Sequence, residues 1–188
     1  MSFPDVPNFD PGNYYIPDPP GVYEHNLGDL WRGVWQPANQ LPEGVPVNHA
    51  YVLLYMDGRG YVVRTSEGDT WATPEGAPKA DEAFDAFLAR LLEEQAGASL
   101  KKYVVTGYLD CKATSHNPDF PAGTHSVRPL AIAIASAVKD QRPGSAYMRR
   151  RLPANEHIIA IRKRYPEFAK YMGDAISTYL IMHAKGED

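Results

Sequence analysis

The sequence predicts an α/β fold in which one mixed β-sheet carries helices, and three observations lead there. The first is an apolar run of β-type residues, Ala50 to Met56 (AYVLLYM), answered by Tyr61-Val62-Val63-Arg64 across a tight turn. The second is a stretch from Lys79 to Ala96 in which Phe84, Phe87, Leu88, Leu91 and Leu92 recur at helical spacing. The third is a return to strand-like sequence, Lys101 to Leu109 and Leu130 to Val138, ahead of a helical C-terminal region.

Each element has a local cause. Nine of the seventeen prolines fall in residues 1–48, among Phe3, Phe9, Tyr14, Tyr15, Tyr23, Trp31 and Trp35. Proline fixes φ and removes a backbone donor, so this extension is expected to be extended and turn-rich. Its rings are large apolar surfaces, which implies packing on its own domain or on a partner subunit. Residues 49–188 then form the main domain. Asp57-Gly58-Arg59-Gly60 turns the hairpin. A Gly/Pro-rich loop, Glu67 to Pro78, leads to the central helix, whose acidic start at Asp81, Glu82 and Asp85 complements the helix dipole. Gly97 is placed to end it.

Beyond the strand ending at Leu109, a polar loop is expected from Asp110 to Arg128, carrying His116, Asp119 and His125. Leu130 to Val138 reads as buried strand. After Pro143-Gly144, Asn155 is a candidate cap for a short helix. Pro166 suits the first turn of a longer one, with Phe168, Met172, Ile176, Tyr179 and Leu180 on one face.

Composition narrows the function. Nineteen basic and twenty-three acidic side chains give a net charge of −4, which disfavours a nucleic-acid backbone as partner. No run approaches the roughly 20 apolar residues of a membrane span. The N-terminus lacks a basic start and apolar core, so a cytoplasmic location is expected. Cys111 is the single cysteine, which excludes an intramolecular disulfide.

The segment from Gly76 to Ala98 (GAPKADEAFDAFLARLLEEQAGA) resembles the signature of the Nudix hydrolases. That signature is a glycine, five residues, a glutamate, seven residues, then Arg-Glu-aliphatic-x-Glu-Glu-x-Gly-aliphatic. Gly76, Glu82, Arg90, Glu94 and Gly97 stand at its positions without gaps. Trp71-Ala72-Thr73-Pro74-Glu75-Gly76 is similar to the family's Trp-x-x-Pro-Gly-Gly lead-in, and the resemblance covers about residues 48 to 140. It implies a Nudix-like α/β/α sandwich. It also implies hydrolysis of a diphosphate-linked, nucleotide-like small molecule by water, with Mg²⁺ or Mn²⁺ on the helix. Carried over by position, Glu94, Glu82 and Arg90 are the candidate catalytic residues and Glu94, Glu93 and Gln95 the candidate metal ligands. His116, His125 and Arg128 are candidates for substrate contact, because such enzymes often place substrate contacts in this region.

Two departures qualify the resemblance. Leu91 stands where the family has a glutamate, and Gln95 replaces the second glutamate of the adjacent pair. Positions i, i+3 and i+4 share a helix face, so three carboxylates there converge on a hard cation. Here Glu94 is the one carboxylate of that triplet. Glu82 and Arg90 either serve catalysis or form a salt bridge bracing the loop on the helix. Leu91 is either core or an apolar wall in the altered pocket. The basic runs Arg149-Arg150-Arg151 and Arg162-Lys163-Arg164 are either solvated faces or phosphate contacts. The alternative to a hydrolase is a non-catalytic or repurposed Nudix fold that binds a nucleotide, metabolite or protein. A homodimer is plausible from the aromatic extension.

Overall fold

The computed structural model describes residues 23–188. Expectations for Phe3, Phe9, Tyr14 and Tyr15 lie outside the described residues. Within them, one sheet runs in the order β1-β2-β6-β7-β3-β4-β8, with β5 paired to β3. The strands are β1 (His25–Leu27), β2 (Trp31–Pro37), β3 (Ala50–Met56), β4 (Arg59–Arg64), β5 (Glu75–Gly76), β6 (Ala98–Ala113), β7 (His125–Val138) and β8 (Met148–Pro153). The sheet is mixed because β3 and β7 run parallel from Tyr51–Leu130 to Tyr55–Ile134, whereas the other pairs are antiparallel.

Helices cover both faces, which makes an α/β/α sandwich. Helix α1 (Phe84–Ala96) packs Phe87, Leu88, Leu91 and Leu92 against Ala50, Val52 and Leu54. On the other face, α2 (His157–Ile161) and α3 (Ala169–Ala184) cover Tyr51, Leu53, Tyr55, Leu130, Ile132 and Ile134. Residues 50–55 of β3 are therefore all buried, because alternate side chains enter opposite cores. Leu130 to Val138 is strand for the same reason.

The hairpin turns where its residues allow it: Asp57 and Gly58 both have positive φ, at 51° and 72°. Trp31 to Pro37 pairs in register with Gly107 to Ala113, so this part of the proline-rich segment is sheet. Gly107 faces Trp35 so closely that a Cβ there would overlap the indole.

Several element boundaries differ from expectation. The helix begins at Phe84 rather than Lys79, because Asp81 adopts a left-handed φ of 57°. The polar loop shrinks to residues 114–124, since β6 continues through Ala113 and β7 starts at His125. Asp110 and Lys112 are polar because they alternate with the buried Leu109, Cys111 and Ala113 on one strand. Asn155 lies in a 3-10 turn (Ala154–Glu156) and caps nothing through its side chain. Pro166 precedes α3 by one turn instead of opening it.

Candidate functional site

The segment that resembles the Nudix signature folds as a loop and helix held by its own side chains. Arg90 lies two turns into α1 and reaches back to the loop. Its Nε and Nη2 each donate to a different Glu82 carboxylate oxygen at 2.8 Å. The guanidinium holds the Glu82 carboxyl down to about 2, against an ordinary 4.5. Arg90 Nη1 also contacts Glu94 at 3.2 Å, and Glu94 is otherwise solvent-facing. Gly97 takes φ 62° and donates its N–H to Glu93 and Leu92, closing the helix.

The positions proposed for a cation do not converge. Glu93 turns away to Lys139. Leu91 is buried, with its Cδ1 3.0 Å from where a Gly76 Cβ would stand. Gln95 is fully engaged: its Nε2 donates to the Glu75 carbonyl at 2.8 Å, and its Oε1 accepts the Glu75 N–H at 3.1 Å. Among the described residues no group of three His, Cys, Asp or Glu side chains is arranged to hold a metal. A divalent cation needs several charged oxygens free to turn toward it. This donor set, with Glu94 held by Arg90, Glu93 turned to Lys139, and a neutral amide and a leucine beside them, does not fit.

The substrate candidates separate onto two faces. His116 is exposed in the 114–124 loop. His125 pairs with Asp110 across β6 and β7, on the sheet face opposite Arg128. Arg128 points to the α2–α3 side. There its Nε donates to Asn48 Oδ1 at 2.9 Å and its Nη1 to Tyr51 Oη at 3.3 Å.

Around Arg128 the fold assembles a cluster that sequence reasoning did not single out. Glu75 sits on β5, beside the first residues of β3. His49 Nε2 is 3.6 Å from Glu75 Oε1, and Arg164 Nη2 approaches the same oxygen at 3.8 Å. Tyr165 donates its hydroxyl to Glu75 Oε2. Burial pushes the Glu75 carboxyl up, but His49, Tyr165 and Arg164 outweigh it and hold it below the usual carboxylate range. Burial and the adjacent Glu75 push the Tyr165 phenol up, so it remains a donor.

Two clefts flank this cluster. One, of about 280 Å³, is walled by Tyr51, Tyr165 and Phe168 and has Arg128 and Arg164 at its sides. The other, of about 360 Å³, runs past Glu75 and Gln95 to Arg64 and Asp69. Arg164 borders both. Among the described residues Arg128 has no carboxylate within ion-pair distance. Two guanidinium groups, two phenols and an apolar wall can accept a ligand that is anionic at one end and flat at the other. One signal for this cluster was in the sequence: Glu75 occupies a position where the similar lead-in has glycine.

No family model matches the chain, and no curated protein matches it. Solved structures do. A mutant pyrophosphohydrolase from Bacillus subtilis aligns over 70% of this chain and 77% of its own, at 15% identity and TM-score 0.49. A MutT structure, from work on the Aliivibrio salmonicida and Vibrio cholerae proteins, aligns over 69% and 94%, at 13% identity and TM-score 0.46. A Nudix hydrolase from Nitrosomonas europaea aligns over 61% and 77%, at 16% identity and TM-score 0.44.

Proposed function

We propose that this chain is a divergent Nudix-type hydrolase of a phosphate-linked small molecule, working without a helix-bound divalent cation. The observation that carries the reading is the contact of Glu75 with His49 and Arg164 beside a cleft edged by a second arginine, Arg128. Arg128 and Arg164 bind phosphate oxygens, and Tyr51, Tyr165 and Phe168 take the organic part. Glu75 stays ionised and orients His49, whose free ring nitrogen receives a proton. The oxygen of a water forms the new bond to phosphorus, and one of its protons goes to His49. The bond from phosphorus to the bridging oxygen breaks, and the leaving group departs as an anion beside a guanidinium. Glu82 and Arg90 hold the loop to the helix in this reading, while Glu93, Glu94 and Gln95 bind no cation.

A second reading, a non-catalytic protein that binds the same class of ligand, is favoured by the engagement of Glu82, Glu93 and Gln95 in internal contacts. One experiment separates them. Phosphate release is followed from a panel of nucleoside diphosphate derivatives, dinucleotides and non-nucleotide diphosphates, with Mg²⁺, Mn²⁺ or chelator, alongside thermal stability with each compound. Turnover that survives chelator and is lost in His49→Asn supports the hydrolase. Stabilisation without turnover at high protein concentration supports the binder. Turnover that requires the metal and is lost in Glu94→Gln overturns the metal-free proposal.

A further inference from the structure

Gln95 stands where the similar signature has a carboxylate, and its contacts show what the exchange does. Glu75 pairs with Tyr51 in the β3–β5 ladder, yet its own N–H and C=O both go to Gln95. An antiparallel strand residue points its N–H and C=O to the same side. The Gln95 amide, presenting one N–H and its carbonyl side by side, therefore answers Glu75 as a neighbouring peptide group would. Beside it, Leu91 packs on Gly76, the second residue of β5. The two replaced positions thus hold the same two-residue strand, one by hydrogen bonds and one by apolar contact.

We propose that Gln95 and Leu91 form a clasp that joins β5 to α1 in place of a cation, and that a divalent-cation site lies one substitution away. The clasp depends on the amide being a donor. A carboxylate at position 95 can still accept the Glu75 N–H, but it faces the Glu75 carbonyl with a second oxygen and no proton. Oxygen then opposes oxygen, a repulsion that a hard cation between them relieves. Glu94, the adjacent carboxylate, is exposed and held only at 3.2 Å by Arg90, so it is free to join such a site. The clasp stands independently of the proposed function, because it concerns how β5 is held and not what the clefts bind.

The test is thermal unfolding of the full chain, wild type, Gln95→Glu and Gln95→Met, in chelator and in millimolar Mn²⁺ or Mg²⁺. The wild type is expected to melt at the same temperature in all conditions. Gln95→Glu is expected to melt lower in chelator by about 3–10 °C, from the loss of its hydrogen bond to the Glu75 carbonyl and the opposition of two oxygens in a chain of this size. Cation then restores part of that loss. Gln95→Met loses both hydrogen bonds without adding charge, so it melts lower and is not restored. Cation stabilisation of the wild type overturns the proposal, because α1 would then already hold a metal. So does a Gln95→Glu variant that melts like the wild type in chelator, or one indifferent to cation. If Gln95→Glu does not fold, the wild type and Gln95→Met decide alone. Equal melting of those two in chelator overturns the clasp.

Discussion

Arg90 and Glu82, eight residues apart, meet through two hydrogen bonds of 2.8 Å that tie the loop before α1 to its middle turns. The fork matches both carboxylate oxygens at once, so the pair is geometric as much as electrostatic. Arg90→Lys keeps the charge and loses the fork. It is expected to lower the melting temperature, as is Glu82→Gln. The Glu82 carboxyl has a folded value of about 2, below the ordinary 4.5. Between those limits the unfolded chain binds more protons, so the pair contributes fully above pH 4.5 and is lost as pH falls toward 2. Urea midpoints of wild type and Glu82→Gln should differ at pH 7 and converge in acid. A constant difference across that range rules out the ionised pair as the cause.

What could be read from the sequence was what is encoded locally. The central helix, its closing glycine and the Glu82–Arg90 brace depend on spacings within one segment, and each is present. The ends of β6 and β7 are not legible locally, because Asp110, Lys112 and His125 face outward from strands, and a row of outward polar residues looks like loop. The Glu75 cluster was beyond reach for a different reason. Tyr165 meets Glu75 across 90 residues of sequence, and the contact exists only because the connection from α2 to α3 returns over this face of the sheet. The pairing of distant segments decides that site, and no local pattern announces it.

Leu91 belongs to the core, and its substitution measures that directly. It is 2% exposed and packs with Phe87, Leu88 and the β3 side chains. Leu91→Ala is expected to cost about 2–5 kcal/mol in urea unfolding, the usual range for a buried leucine left as a cavity. A cost near zero would place Leu91 at a pocket wall instead.

His157 carries a second pH effect of the same sign and a different cause. It is fully buried against Tyr55, and neither ring nitrogen has a hydrogen-bond partner among the described residues. Burial holds it neutral, with a folded value of about 3 against 6.5 for the unfolded chain. Below pH 6.5 the unfolded chain takes up a proton that the folded one does not, so stability falls as pH drops toward 3. At pH 5 this amounts to about 2 kcal/mol. His157→Leu should reduce the loss in unfolding free energy between pH 7.5 and pH 5 by about that amount. An unchanged loss would show that the ring gains a proton or a partner within the fold.

Arg128 and Arg164 are expected to carry ligand affinity rather than stability. Arg164 is exposed, and its contact with Glu75 is long at 3.8 Å. Arg164→Ala should therefore leave the melting temperature nearly unchanged. Arg164→Ala and Arg128→Gln should each weaken a phosphate-bearing ligand by about 10–100-fold, the loss of one or two charge-assisted hydrogen bonds. Calorimetric titration of the tightest ligand from the hydrolysis panel reads both. Full affinity in both variants would move the ligand out of this cleft.

His49 and Glu75 separate binding from turnover. His49 makes an edge contact with Tyr51 and is a quarter exposed, so its ring is reachable from solvent while Glu75 lies 3.6 Å from one nitrogen. His49→Asn removes the proton acceptor and is expected to lower kcat by about 10²–10⁴. The ligand's Kd should remain within about twofold, since the arginines that hold phosphate are untouched. Glu75→Gln keeps the shape of the carboxylate and removes its charge, so it should lower kcat by less than His49→Asn. Loss of binding in step with turnover would make the pair a structural support for the cleft, and unchanged turnover in both variants would remove it from the chemistry.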